Sequence, residues 1–306
     1  MIEINGVNKF FSESGVLSLD NVSMTIPDNS IVGLIGINGA GKSTLLRILA
    51  GIYKQDTGTV SVDGERVYEN NNAKSKIAYI SDDQYYNPGM TMRKLASIHA
   101  SLREGFSWEK FRDLAGRFGL DVNKRLSGFS KGMRRQSDIV IALSYGAKYL
   151  LCDETFDGLD PITRELTKKI FMQEMTDNNA TILMSSHNLR EMEDICDRIL
   201  LIDKGKLVLS ADIDDMRGMV NKYQLVFERD GDNIPLDGLN VSALNNSGKM
   251  ITFIADGDSG EIEAQVRRLA VEKGSEVIYI EAVPLSLEEI FMYKLKKSDI
   301  ADREVI

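Results

Sequence analysis

The stretch GINGAGKST, residues 36–44, limits what this chain can fold into more than any other. It fits G-x-x-x-x-G-K-[ST], with Gly36, Gly41, Lys42 and Ser43 at the fixed positions. Before it, SIVGLIG (30–36) is a nearly continuous apolar run, the pattern of a strand buried on both faces. After it, STLLRILAG (43–51) puts Leu45, Leu46, Leu49 and Ala50 at helical spacing, with Gly51 as a C-terminal stop. A glycine-rich turn between a buried strand and a helix cradles phosphate. The glycines let backbone N–H groups approach the oxygens, and the helix adds its positive end. Gly36, Asn38, Gly39, Ala40, Gly41, Lys42, Ser43 and Thr44 are the expected nucleotide-binding set. Lys42 would reach the β- and γ-phosphates, and the Ser43 hydroxyl would bind Mg²⁺.

Two further strand ends complement that loop. YLLCDE (149–154) is an apolar strand that closes on two carboxylates. Asp153 is placed to hold Mg²⁺ through water, and Glu154 is the natural general base for an attacking water. His187 follows TILMSS, another buried strand, at the edge where open parallel sheets collect their ligands. Its expected role is to sense the γ-phosphate. Elsewhere, strands alternate with helices: KYLLCD, PITRELTKKIFMQEM, ATILMSS, NLREMEDIC, then a hairpin at RILLIDKGKLVLS. That order predicts a parallel sheet covered on both faces. Asp63-Gly64, inside TVSVDGERVY, predicts a tight hairpin and hence an antiparallel patch near the start. Residues 91–147 read as mostly helical.

Composition excludes several classes. A net charge of −9 disfavours non-specific nucleic-acid binding, which needs basic surface. Cys152 and Cys196 fit neither a disulfide framework nor a zinc pattern, and read as small buried hydrophobes. Two histidines are too few for a histidine metal centre. No apolar run approaches a membrane span, and the first residues lack a signal-peptide layout, so the chain is expected in the cytoplasm.

In this order the pieces resemble the ATPase subunit of ATP-binding cassette (ABC) transporters, over residues 1 to about 208. The resemblance implies a phosphate-loop NTPase core with an antiparallel β subdomain and a helical subdomain, binding ATP and Mg²⁺. It implies that Phe11, or less readily its neighbour Phe10, stacks on adenine, since every base has a π-face. The family's signature begins 24 residues before the strand-end aspartate, so FSKGM (129–133) is that motif and LSGF (126–129) is a decoy. Ser130 and Gly132 keep its key positions and would grip the γ-phosphate bound to a second ATPase subunit. Lys131 and Met133 replace glycine and glutamine. Lys131 is either an added charge for phosphate or a solvated surface lysine. TFDGLDP (155–161) matches the loop after the acidic strand, with Asp160 as its aspartate and Thr155 where proline is usual. Where the family has a glutamine that touches Mg²⁺ and the attacking water, this chain has Asp82. Either Asp82 supplies an oxygen to Mg²⁺, or Gln84 substitutes after a two-residue shift. The loop YYNPGMTM (85–92) is either core or an apolar socket for a membrane subunit.

Residues 209–306 read as a linking helix and a small α+β domain. Its strands are YQLVFE, MITFIA and EVIYIE, and an amphipathic helix presents Ile262, Val266 and Leu269 on one face. Nothing there suggests chemistry, but LSLEEIF (285–291) resembles the tail of bacterial exporter ATPases with separate membrane subunits. The expected partners are integral membrane transporter subunits and a second ATPase chain, either a copy or a relative, in an ATP-dependent head-to-tail dimer. Two other classes are weighed against this reading. One is a soluble ABC-type ATPase acting on nucleic acid or ribosomes. The other is a non-hydrolysing regulatory module, supported only by the departure at Asp82.

Overall fold

A computed structural model describes residues 1–213 apart from 84, residue 215, and 220–228, 239, 241–247, 249–272, 274, 276–286 and 288–290. The chain divides into two compact units, Met1–Ser210 and Ala211–Ile306.

The first unit opens with β1 (Ile2–Phe11) and β2 (Val16–Ile26), an antiparallel pair. Then comes β3 (Ile31–Ile35), in which all five residues are buried, as the unbroken apolar run requires. The glycine loop leads from it into α1 (Lys42–Leu49). β4 (Thr57–Val62) and β5 (Glu65–Arg66) form the hairpin expected at Asp63-Gly64. Both turn residues have positive φ, 50° and 78°, which is why an Asp-Gly pair sits there. After α2 (Asn71–Ser75) and β6 (Ile77–Ile80) the chain becomes helical: α3 (Met92–Leu102), α4 (Trp108–Arg117) and α5 (Lys131–Leu143). β7 (Tyr149–Cys152), α6 (Pro161–Asn178), β8 (Thr181–Ser186), α7 (Leu189–Glu193), β9 (Arg198–Asp203) and β10 (Lys206–Asp212) complete it. α7 is shorter than NLREMEDIC suggests, because the chain already turns at Asp194 to enter β9.

Two sheets result. One is antiparallel, in the order β2-β1-β4-β5. The other runs β10-β9-β3-β8-β7-β6, with parallel pairing from β9 through to β6. One apolar cluster joins them through α1: Leu45, Leu46 and Leu49 lie with Ile4 and Val62 of the first sheet and Leu34, Leu151 and Leu183 of the second. α1 is thus fixed by burial on more than one side, and so is the loop that feeds it. Because β3, β8, β7 and β6 are consecutive neighbours, their carboxyl ends lie side by side, where ligands bind in open α/β sheets.

The second unit contains β11 (Val220–Phe227), β12 (Val241–Ser247), β13 (Met250–Asp256), α8 (Ser259–Glu272) and β14 (Val277–Pro284). Its sheet has the order β12-β13-β11-β14, antiparallel throughout. α8 buries Ile262, Val266 and Ala270 beside Tyr223, Leu225 and Phe253. β12 has no strand signature in the sequence, because VSALNNS carries three polar residues in its second half. Of the linking helix expected over 212–222, residues 214 and 216–219 lie outside the described residues, while its ends are strand: Asp212 closes β10 and Val220 opens β11. Residues 291–297 of the closing helix also lie outside the described residues.

Candidate functional site

The phosphate loop is shaped by close backbone contacts. A Cβ at Gly36 would come within 2.3 Å of the Ile202 carbonyl oxygen, and one at Gly41 within 2.5 Å of the Ser18 carbonyl oxygen. Gly41 also has φ 108°, a conformation that side chains rarely adopt. Ala40 is buried, and its carbonyl accepts from the Gly205 N–H at 3.0 Å. The Thr44 hydroxyl accepts from Ser18 at 2.8 Å. These contacts lock the loop between β2, the β9–β10 turn and α1.

Lys42 is 5% exposed and curls back over the loop, donating to the Gly36 carbonyl at 2.7 Å. Its Nζ also lies 3.2 Å from Glu154 Oε1. The other carboxylate oxygen of Glu154 is 3.0 Å from His187 Nδ1. The ends of β3, β7 and β8 therefore converge on one chain of contacts, Lys42–Glu154–His187. Glu154 has φ 45°, and its N–H donates to Ser185 Oγ at 3.0 Å. A non-glycine residue held there costs on the order of 1–3 kcal/mol and is concentrated at functional sites.

Asp153 is fully buried and accepts three hydroxyl hydrogen bonds: from Ser43 at 3.0 Å and Ser185 at 2.8 Å on Oδ1, and from Tyr79 at 3.2 Å on Oδ2. Burial, together with the Asp153 charge, pushes the Tyr79 phenol up to about 12, so it remains a donor. Ser43 and Asp153 form a pair of hard oxygen donors at the foot of the loop, the chemistry Mg²⁺ prefers.

A cavity of about 510 Å³ is lined by Phe11, Asn38, Gly39, Gly41, Lys42, Ser43 and Thr44, with Asp82, Glu154, Asp157 and His187 across from them. Phe11 packs edge-on against Tyr53 at 5.7 Å, while Phe10 is an exposed neighbour outside the lining. Gly36, Ala40 and the buried Asp153 are not among the lining residues, and three more expected residues lie in other segments. Ser130 caps α5 by accepting from the Met133 N–H at 3.1 Å, whereas Leu126–Gly128 form the short 3₁₀ turn before it. Gly132 packs so closely on Gly158 that a Cβ there would sit 2.6 Å from its carbonyl oxygen. Asp160 caps α6, accepting from the Ile162 and Thr163 N–H groups at 3.0 Å each. Lys131 is exposed, and its stem lies over Gly158.

Asp82 lines the cavity, but its Oδ1 is also taken by Arg135 Nη2 at 2.8 Å. Gln84 lies outside the described residues. Sequence reasoning passed over Asp157, Ser185, Tyr79 and Arg135. The two serines that end the apolar β8 were a signal, since hydroxyls at the end of a buried strand need partners. Cys152 and Cys196 are both buried, and burial pushes the Cys152 thiol up to about 12.

A strand–loop–helix phosphate cradle facing an acidic strand end and a histidine defines a phosphate-loop NTPase site. The ABC transporter family profile matches residues 19–157. The chain is 28% identical to ABC transporter ATP-binding protein YtrB of Bacillus subtilis over 96% of its own length and 98% of that protein. It is 31% identical to ABC transporter ATP-binding protein NatA of the same organism, over 71% and 91% respectively. The solved structure of an ATP-binding subunit of an ABC transporter superposes with a TM-score of 0.65 at 25% identity, covering 71% of this chain and 92% of that one. This chain belongs to the ABC transporter family, as an ATP-binding subunit with ATPase activity. No helix among the described residues is long and apolar enough to cross a membrane.

Proposed function

We propose that the chain powers an exporter from the cytoplasmic face of the membrane, paired with separately encoded membrane subunits. The convergence of Lys42, Glu154 and His187 on the cavity that also holds Ser43 carries this reading. Phe11 stacks on the adenine. Residues 36–44 wrap the phosphates, with Lys42 on the β- and γ-phosphates. Ser43, Asp153 and Asp82 would hold Mg²⁺, which when bound would offset phosphate charge. Glu154 takes the proton of the attacking water, and His187, hydrogen-bonded to Glu154, orients it and contacts the γ-phosphate.

Ser130, Gly132 and Asp160 lie outside this cavity, which supports a role in a second subunit's site. In a head-to-tail dimer, capped α5 offers its N-terminus to the partner's γ-phosphate. ATP would close the dimer because only the closed form gains that contact. A groove of about 280 Å³ lined by Tyr79, Tyr85, Tyr86, Leu95, His99 and Tyr145 supports docking of a membrane subunit's cytoplasmic segment beside the 85–92 loop. The export direction rests on the resemblance of the LSLEEIF tail.

Glu154→Gln tests the chemistry. ATPase activity should fall by about 10²–10⁴-fold while ATP binding persists and the dimer accumulates. Unchanged turnover would remove Glu154 as the base. Co-purification from gently solubilised membranes should yield a polytopic membrane protein in stoichiometric amount. Recovery with ribosomes or nucleic acid instead would transfer the function to the soluble class.

A further inference from the structure

The family's glutamine is neutral, whereas Asp82 brings a negative charge to the rim of a cavity that receives a polyphosphate. That charge would repel the ligand unless another group offset it. The offset comes from α5. Arg135 is 0% exposed, on the buried face of that helix. Its Nη1 donates to the Ser81 carbonyl at 2.5 Å, and its Nη2 to the Asp82 carbonyl at 3.3 Å and to Asp82 Oδ1 at 2.8 Å. Its Nε has no hydrogen-bond partner among the described residues. Asp82 is the one carboxylate with which Arg135 forms an ion pair among the described residues. A buried guanidinium needs its carboxylate, and the carboxylate needs the guanidinium to face phosphate.

We infer that Arg135 is a positioning residue for ATP hydrolysis: it sets Asp82 at the cavity rim and neutralises it, so that an Asp–Arg pair does the work of the family's single glutamine. This rests on the proposed role of Asp82 at the nucleotide site. Two neighbouring contacts fix the same segment. The Tyr86 hydroxyl donates to Asp138 Oδ1 at 2.6 Å, one turn further along α5. Arg47 of α1 donates to Asp83 Oδ2 at 3.0 Å. Residues 81–83 and Tyr86 are thus tied to the helix that follows the phosphate loop or to the helix capped by Ser130. Through Arg135, the capped helix sets the position of a cavity-lining carboxylate directly.

The test uses the full chain and three variants: Arg135→Gln, Asp82→Gln, and the two together. KM for ATP, kcat, and the Mg²⁺ concentration giving half-maximal rate are measured for each, with folding checked by circular dichroism. Arg135→Gln should raise KM and the half-maximal Mg²⁺ concentration about tenfold, because Asp82 then faces phosphate uncompensated. Asp82→Gln should also weaken both, because the buried guanidinium loses its partner. The double variant, which places a neutral glutamine at 82 with no buried charge behind it, should return to within about threefold of wild type. Single-variant losses that multiply in the double variant would overturn the inference. So would Arg135→Gln with a lowered melting temperature but wild-type KM and Mg²⁺ dependence. If Arg135→Gln does not fold, Asp82→Gln against the double variant decides: no recovery overturns it. In every arm, adding Glu154→Gln must lower the rate by at least about 100-fold. A rate that does not fall so far would be a failure of the functional reading and not of the Asp–Arg pair.

Discussion

Lys42, Arg135, Asp153, Lys168, Glu174 and Glu191 are buried in the unit Met1–Ser210, whereas the described buried side chains of Ala211–Ile306 are apolar apart from the Tyr223 hydroxyl. Each of the six has a partner: Glu154 for Lys42, Asp82 for Arg135, three hydroxyls for Asp153, Asp194 for Lys168, Lys110 for Glu174 and Arg164 for Glu191. In each ion pair one member is buried and its partner is more open to solvent, so desolvation of the buried charge offsets much of the attraction and the pair adds little net stability. What they supply is fixed geometry, and breaking one leaves a charge without compensation. The second unit is built on ordinary sheet-and-helix packing, with Tyr223 stacked on Phe253 at 5.1 Å. Loss of a charged partner should therefore cripple the first unit, and loss of apolar volume the second.

The sharpest way to break that contrast is Asp153→Ala. It leaves Ser43, Ser185 and Tyr79 without their shared acceptor, and ATPase activity should fall by at least about 100-fold in a steady-state assay. A rate within about threefold of wild type would mean that burial at the strand end is only structural. Next in size, Phe253→Ala should destabilise the second unit by about 3–5 kcal/mol. Hydrogen exchange should speed up in β11 and β13 and remain slow in β3 and β7. Acceleration in all four strands would show that the two units do not differ in this way.

A smaller effect is set by pH. Burial works to raise the Asp28 carboxyl, but hydrogen bonds from the N-terminal ammonium, Lys148 and Tyr149 hold it at about 2, below its ordinary 3.8. A carboxyl depressed in the folded state contributes fully above its unfolded value and loses that contribution as pH falls through the folded one. The melting-temperature gap between wild type and Asp28→Asn should therefore be constant at neutral pH and close between about pH 4 and pH 2. A gap that persists at pH 2 would assign the effect to packing. Smallest of all, Tyr223→Phe removes a buried hydroxyl that has no partner among the described residues, and should leave stability unchanged or raise it by up to about 1 kcal/mol in chemical denaturation.

Much of the site was legible along the chain because its rules are local. The phosphate loop needs glycine where backbone meets backbone, and Gly36 and Gly41 do meet the Ile202 and Ser18 carbonyls. Apolar runs that end in Asp153, Glu154 and His187 could be read as parallel strands whose ends share an edge. β12 was not legible, since a strand with four polar residues among seven is stabilised by its pairing with β13, which the local pattern does not carry.

By itself, then, the sequence determined the phosphate loop, the alternation of strands and helices, and the acids and histidine at the strand ends, because each follows from residues a few positions apart. Folding alone settled that Gly132 lies on Gly158 and that Asp82 shares its carboxylate with a fully buried Arg135. Such contacts join segments far apart in the chain, and a charge at one position acquires its meaning from the partner that folding brings to it.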